Sequence, residues 1–595
     1  MSYRRRFRRP FGLGRCLSRF PKHPWLLPWL IVAAVPALSQ VPPPAVVPQL
    51  VPPGSPLPRV APTAPPAVSP AVPPPPITPP PPVPNLSVRV TRVVIEGVTA
   101  YPPGEFVAMT QGLTGPDVPL QRIAAARTAI LRRYRADGYI LSAVSASVDA
   151  TGVLHFVVTE GRIASVRLAG DIGPAGTQVL RFLHRLTEQV PINSVTLERY
   201  LLLAQQVPGV TMHAVLQPST EEPGAVNLIA EVSRQPVSGL ALMDNRASPY
   251  TGPLESLAVL NLNSFTEFGE QTQLSYYHAF PNSENFGQVS TEAFIGSSGL
   301  KGRIYAGSGP TVPTGLFATE GYNGLTTVFG SDLSYPIILS RQQSLNVTGA
   351  FDGLVSHITT TTSGVRQTAS YDSLRVARLS FDYARSDLLL GDDRNAVNLI
   401  TARLSQGLPI LGASPDGASN APRVGERTDF FKFNFELQRT QTLLYPLPNT
   451  SVALMGLLVG QLSPDILPPE EQFYLGGSSY TRGYYSGQVT GDKALAATAE
   501  LQLNTGFNLT TFGLNENVST QFYLFYDWGE TWQNQPHGLN EHISSSGGGV
   551  RLMATQYVEL DFEGVARFNR FPTGTGPNIS PLYGGAFYWR ALVRF

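Results

Sequence analysis

From residue 236 to the C-terminus the chain alternates apolar and polar residues in segments of about ten, with no helical periodicity of any length. Period-two alternation is the mark of a strand with one apolar and one polar face. The segments fall near 237–245, 254–265, 269–280, 285–296, 301–309, 321–331, 339–354 and 370–384, then 395–406, 428–440, 450–461, 494–505, 519–528, 546–554, 556–567 and 585–595. They number sixteen. Connections after odd-numbered segments are mostly long and those after even-numbered ones mostly short, the asymmetry of an outer-membrane barrel with external loops and periplasmic turns. In lipid such a sheet must close on itself, because an open edge leaves backbone groups unsatisfied at several kcal/mol each. About 360 residues over sixteen strands is roughly 22 per strand and connection, which fits a spanning strand of about 9 to 11 residues plus its loop. A soluble β-sandwich is the competing architecture.

The last segment favours the barrel. Phe587, Trp589, Ala591, Val593 and Phe595 share one face and Arg590 and Arg594 the other, so one face suits lipid and the other a wet lumen. Composition agrees, since only 14% of residues are charged, 42% are apolar, and Gly (55), Tyr (23) and Phe (29) are plentiful. No run of 18 apolar residues follows the N-terminal region, so helical spans are not expected. The net charge of +1 hides an asymmetry: residues 1–24 hold eight Lys/Arg and no acid, and the rest carries 35 basic against 42 acidic residues. Nucleic-acid binding is not expected of such a chain.

Residues 1–39 read as an export signal, with a basic stretch, an apolar core at 25–37 and cleavage near Ala37-Leu38-Ser39. The only cysteine, Cys16, lies inside it, so the mature chain has no thiol and no disulfide. Residues 40–85 hold 21 prolines in 46 positions and read as an extended tether.

From residue 86 the pattern changes. A strand at 87–95, a short helical stretch near Phe106, a helix at 120–137 and strands at 140–148 and 153–159 follow in order. In the longer helix Leu120, Ile123, Arg127, Ile130 and Tyr134 recur at three- and four-residue steps. The order repeats, with a strand at 162–169, helices at 176–186 and 195–207, and strands at 211–217 and 225–232. We therefore divide the chain into 1–39, 40–85, two α+β units at 86–161 and 162–235, and a barrel at 236–595. Sheet edges of such units suit the capture of an extended peptide by strand addition.

The longest external loop, the sixth, spans 462–493 and carries LGGSSYTRGYYSGQVTGDK with a single arginine, Arg482. In the thirteenth segment Phe522, Leu524, Tyr526 and Trp528 form an apolar face, so Phe525, Asp527 and Gly529 point into the lumen. If the loop folds inward, Arg482 reaches Asp527 in a charge-assisted pair, with Gly483 permitting a tight bend. The alternative is that both charges simply line a hydrated pore.

The loop resembles the [VI]-R-G-[FY] sixth-loop motif of the POTRA-plus-barrel superfamily, here Arg482, Gly483 and Tyr484 after Thr481, and FYDWG at 525–529 matches its F-x-D-x-G strand motif. The repeated α+β units, with GYILSAV and TEGRIASVRLAG, resemble POTRA domains. With the proline-rich leader and DNRASPYTG at 244–252, the chain is similar to two-partner secretion transporters of the haemolysin and filamentous-haemagglutinin type. The resemblance implies a sixteen-stranded barrel behind two POTRA domains that captures an unfolded partner exoprotein, a haemolysin or adhesin, and passes it through the outer membrane without ATP. It also implies that Trp589 and Phe595 belong to a C-terminal signal read by the barrel-assembly machinery. Thr481 departs from the usual Val or Ile, and the prolines of 40–85 do not suit the pore-plugging helix of some members. No Walker-type loop, G-x-S-x-G elbow or H-E-x-x-H spacing occurs, so no catalytic residue, cofactor or metal is expected. A barrel-assembly factor of the same superfamily and a diffusion porin are the alternatives. More POTRA units are expected of the first and none of the second.

Overall fold

The computed structural model describes residues 86–595 apart from Glu221, Pro249, Gly315, Asp392, 509–516 and 573–580. The expected export signal, with Cys16, and the proline-rich tether lie outside the described residues.

In the first α/β unit the stretch expected as one strand is two. Ser87–Val90 pairs with an unforeseen strand, Gly115–Pro119, while Arg92–Glu96 runs parallel to Val153–Thr159, whose other edge takes Ala143–Val148. Thr91 marks the break, its N–H turning to Gly152 O at 2.8 Å. Helix Leu120–Ala136 lays Ile123, Ala126, Ile130 and Tyr134 on Leu154 and Phe156, all buried. At the end of the unit Glu160 accepts Tyr134 Oη at 2.6 Å and the N–H groups of Thr99 and Ala100 at 2.9 Å. Burial alone would push its carboxyl up, but these donors hold it below the usual carboxylate range.

The second unit repeats the plan with strand Arg162–Ala169, helices Ala175–His184 and Ser194–Gln205, and strands Val210–Pro218 and Ala225–Arg234. Asn193 caps the second helix by accepting from Val195 N at 2.9 Å. Ala225–Arg234 lies between the other two strands, so Arg162–Ala169 and Val210–Pro218 are the sheet edges.

Sixteen antiparallel strands close the barrel, as the alternation predicts. The first eight are Val237–Asp244, Glu255–Asn263, Gln271–Ala279, Glu284–Phe294, Lys301–Thr311, Asn323–Leu339, Gln343–Thr362 and Val365–Asp387. The second eight are Ala396–Gly407, Phe431–Leu447, Thr450–Leu462, Lys493–Asn508, Asn517–Trp532, Glu541–Met553, Val558–Arg567 and Gly585–Arg594. The expected parity is seen in the thirteenth strand, where Leu524 is 64% exposed and its neighbours Tyr523 and Phe525 are buried. Ile304, Leu333, Leu501 and Phe587 likewise face outward and are exposed, as a wall against lipid requires.

The sequence reading errs most at the sixth to eighth strands. Residues 355–369, expected as a loop, pair as the far end of a hairpin that turns at Ser363 and Gly364, both left-handed. Threonine on both faces gives no apolar alternation there, although its β-branched side chain suits a strand.

The barrel closes where the sixteenth strand meets the first, from Arg590 opposite Asp244 to Arg594 opposite Leu240. Phe595 extends this seam by exchanging two 3.0 Å backbone bonds with Gly239. Arg590 and Arg594 face inward onto Glu559, as their parity predicts. At the rim with the short turns, the second α/β unit packs on the first three turns. Gln178 Nε2 donates to Gly296 O at 2.9 Å, Arg199 Nη2 to Pro336 O at 2.7 Å, and Ser264 Oγ to Pro208 O at 2.7 Å. Phe294 and Leu339 from the barrel complete that unit's apolar core.

Candidate functional site

The connection between the eleventh and twelfth strands, residues 463–492, folds back into the barrel. Its stem is a two-stranded ribbon in which Phe473–Leu475 pairs with Val489–Gly491. Gly476, Gly477 and Gly487 near the tip are left-handed, as is Thr481 at φ 56°. The bend next to the arginine is thus made by Thr481 and not by Gly483, which corrects the expectation. Gly483 serves close approach: a Cβ there would lie 2.5 Å from Ser545 Cβ, and its N–H donates to Ser545 Oγ at 3.2 Å.

Arg482 is 7% exposed and Asp527 fully buried. Asp527 Oδ2 accepts the backbone N–H of Arg482 at 2.9 Å and its Nε at 3.0 Å, and Oδ1 accepts Nη2 at 3.1 Å. The guanidinium lies 3.7 Å from the centre of the Phe525 ring, a cation–π seat. Gly529, two residues on, leaves room for the loop, since a Cβ there would meet Leu475 Cδ1 at 2.8 Å and Thr481 Cγ2 at 3.0 Å. Phe525, Asp527 and Gly529 therefore act on one side of the strand as platform, counter-charge and clearance. Tyr484 is 1% exposed; its hydroxyl donates to Ser544 O at 2.8 Å and accepts Asn569 N at 3.1 Å.

Sequence reasoning missed the rest of this network. Arg482 Nη1 also bonds Glu500 on the twelfth strand, and Arg551 Nη1 reaches Glu500 at 2.8 Å while stacking on Tyr523 at 3.8 Å. Arg246, just after the first strand, pairs with Glu563 at 2.8 Å and donates to Arg482 O at 3.3 Å. Arg567 donates to Gly483 O and, at 3.0 Å, to Tyr588 Oη. Burial by itself would favour the neutral form of Arg482, but Asp527, Glu500 and Glu563 raise its affinity for the proton above that of a free guanidinium. The parity of the twelfth strand could have flagged Glu500 as a lumen-facing acid, whereas nothing in the sequence tied Arg246 to the loop.

The base of the loop is held separately. Asp492 accepts Arg423 Nη1 at 2.6 Å and Nη2 at 3.2 Å, and Glu471 takes Arg378 at 2.7 Å and Lys432 at 2.6 Å. Burial pushes Glu471 up, but the two cations outweigh it and hold the carboxyl down at about 2. Trp589 and Phe595 are remote from this network, with Phe595 56% exposed on the outer face at the seam. The arrangement contains buried, mutually neutralised charges; it is suited to holding a segment inside the lumen.

Comparison with known proteins places this architecture. Residues 331–552 match the family model of the haemolysin secretion/activation protein ShlB/FhaC/HecB, and residues 88–161 match the ShlB-type POTRA domain. The first span runs from the sixth strand to the fourteenth and contains the sixth loop with Arg482, as well as Asp527. Outer membrane transporter CdiB of Escherichia coli O6:K15:H31 (strain 536 / UPEC) is 22% identical over 536 residues, 85% of this chain and 82% of that protein. The solved structure of CdiB from Escherichia coli superposes with a TM-score of 0.67 at 18% identity, covering 86% of this chain and 91% of that one. CdiB from Acinetobacter baumannii gives 0.59 at 17% identity, over 86% and 90%. At these identities the structures speak for a shared fold, and the family models for descent. Barrel, POTRA domain and inward loop thus fall together: from the sixth strand to the fourteenth the chain matches the haemolysin secretion/activation (ShlB/FhaC/HecB) family, in an outer-membrane barrel whose POTRA domain lies on the periplasmic side.

Proposed function

We propose that this transporter captures an unfolded partner exoprotein in the periplasm and passes it through the barrel lumen to the cell surface without ATP. The observation that carries the reading is a loop seated inside a closed barrel by one buried arginine. Such a loop blocks the lumen at rest and swings clear at its tip when its charge pair is broken. The two α/β units, 86–161 and 162–235, are read as POTRA-like docking modules. Val210–Pro218 is the edge best suited to strand addition, because it leaves one row of backbone groups outside its own sheet and exposes Val215 and Leu216. The client's folding outside the cell supplies the driving force, and no residue of the site is assigned a catalytic part.

Deletion of residues 86–235 tests the capture step. The shortened barrel is expected to conduct ions in planar bilayers and to leave a co-expressed partner exoprotein in the periplasm. Wild-type levels of that exoprotein in the medium would sink the reading.

A further inference from the structure

The hairpin of the seventh and eighth strands carries a site that neither the loop nor the transport path uses. Ile358 pairs with Ser370 but Thr359 pairs with Thr368, so Ala369 is an extra residue bulged out of the ladder. On the barrel side of the bulge the even-numbered residues of the eighth strand face the lumen, among them Asp372, Leu374 and Arg378. Beyond it the parity reverses. Arg366 and Thr368 then join Tyr371 on the outer face, where His357 Nε2 lies 3.2 Å from Thr368 Oγ1 and Arg366 Nε donates to Thr359 Oγ1 at 2.9 Å. With Asn323, Leu325 and Gln367, the side chains of His357, Thr359, Arg366 and Thr368 line an open concavity of about 440 Å³. No carboxylate lines it, and Arg366 makes no ion pair among the described residues.

Its height on the barrel indicates what it meets. The outward residues of the seventh strand are Leu345, Val347, Gly349, Phe351, Gly353 and Val355, followed by His357 and Thr359. From Leu345 to Val355 the strand climbs roughly 26 Å at about 3.4 Å per residue and a tilt of about 40°, which is the height of a barrel's apolar band. The concavity therefore opens one step above that band, at the headgroups of the outer leaflet. At the same boundary Arg375 lies over the Phe329 ring at 5.1 Å and donates to the carbonyl of Leu411, a residue 71% exposed. An arginine beside bared apolar residues is the usual arrangement where a barrel wall passes from acyl chains to headgroups.

We propose that this concavity binds a phosphate borne on the headgroup of an anionic outer-leaflet glycolipid. Arg366 supplies the charged contact, His357, Thr359 and Thr368 the neutral ones, and Leu325, Phe329 and Val355 a strip for an acyl chain. The full-length protein in detergent is titrated with purified lipopolysaccharide, with its dephosphorylated form and with inorganic phosphate. Wild type is expected to bind the phosphorylated glycolipid, and Arg366→Glu to bind it about tenfold more weakly, the loss of one charge-assisted contact. The dephosphorylated form is expected to bind as weakly as Arg366→Glu, and millimolar inorganic phosphate not to compete. Arg366→Gln, a milder change on an exposed hairpin, provides the comparison if Arg366→Glu does not fold. Undiminished binding by the folded variant overturns the proposal, as does equal binding of the dephosphorylated lipid or displacement by free phosphate.

Discussion

The tip and the base of the sixth loop are held by the same chemistry, buried arginine–carboxylate pairs, but they differ in what survives the loss of the arginine. At the tip every bond to the Asp527 carboxylate comes from Arg482, one from its backbone and two from its side chain. At the base Asp492 takes two bonds from Arg423 and also accepts Leu467 N at 3.0 Å, Asn534 N at 2.8 Å and Gln472 Nε2 at 3.3 Å. Glu471 likewise has two cations. The charge pair at the base is redundant, whereas the one at the tip rests on a single guanidinium, with the neutral contacts of Gly483 and Tyr484 beside it. A loop fastened this way lets go at its tip and stays hinged at its base.

The sharpest way to break that comparison is to truncate both arginines. Arg482→Ala leaves Asp527 buried with one amide for company, and breaking a buried pair in this way costs about 3–5 kcal/mol. Arg423→Ala leaves Asp492 with three neutral donors, so the cost falls to about 1–3 kcal/mol. We expect export to drop more than tenfold in Arg482→Ala, a threshold well inside the roughly hundredfold that even about 3 kcal/mol corresponds to, with the barrel still heat-modifiable on gels, and to drop less in Arg423→Ala. The mature chain is expected to have no cysteine, so a Ser479→Cys reporter labelled by an impermeant maleimide reads release of the tip directly. Equal labelling of the two variants would remove the distinction between tip and base. Exchanging the charges of Arg482 and Asp527 is not expected to restore the pair, because Glu500 and Glu563 would face the new carboxylate.

Gly483 sharpens the same point on the side of packing. Its missing Cβ is what lets the tip lie against Ser545, and Gly483→Ala forces a contact costing about 1–3 kcal/mol. Ser545→Gly in the same chain should recover most of the loss in export and labelling, since residues in direct contact deviate from additivity. No recovery would show that Gly483 is needed for something other than clearance.

How much of this was legible in the sequence depends on whether parity or partnership was being read. Parity follows from a period of two, so the inward placement of Asp527 and the outward placement of Leu524 could be read from a few residues. The partnership of Arg482 with Asp527 needed the family resemblance, because nothing local says that a loop of Gly, Ser and Tyr turns inward. Glu500 and Glu563 lie at lumen-facing positions of their strands, yet which cation each meets is decided by strands brought together by closure of the barrel. Arg246 and Arg567 belong to that class too. The long hairpin escaped because strand propensity without an apolar face leaves no periodic signal, and its bulge at Ala369 because a single extra residue is invisible until the partner strand is known.

Thr481 offers the smallest and most local test of how the tip is held. It is a β-branched residue at positive φ, a conformation that costs about 1–2 kcal/mol. Its hydroxyl accepts Gly476 N at 2.8 Å and donates to Tyr480 O at 2.6 Å, which supports the bend from within the loop. Gly476 N also reaches Tyr480 O at 3.1 Å, so it keeps a partner if the hydroxyl is lost. Thr481→Val keeps the shape and the methyl against Gly529, and should weaken the seat by only about 0.5–1 kcal/mol. That corresponds to about a two- to fivefold rise in maleimide labelling of the tip. A rise as large as that of Arg482→Ala would mean that the bend, and not the buried charge pair, sets the stability of the seated loop, and the contrast between tip and base would have to be rebuilt on backbone strain.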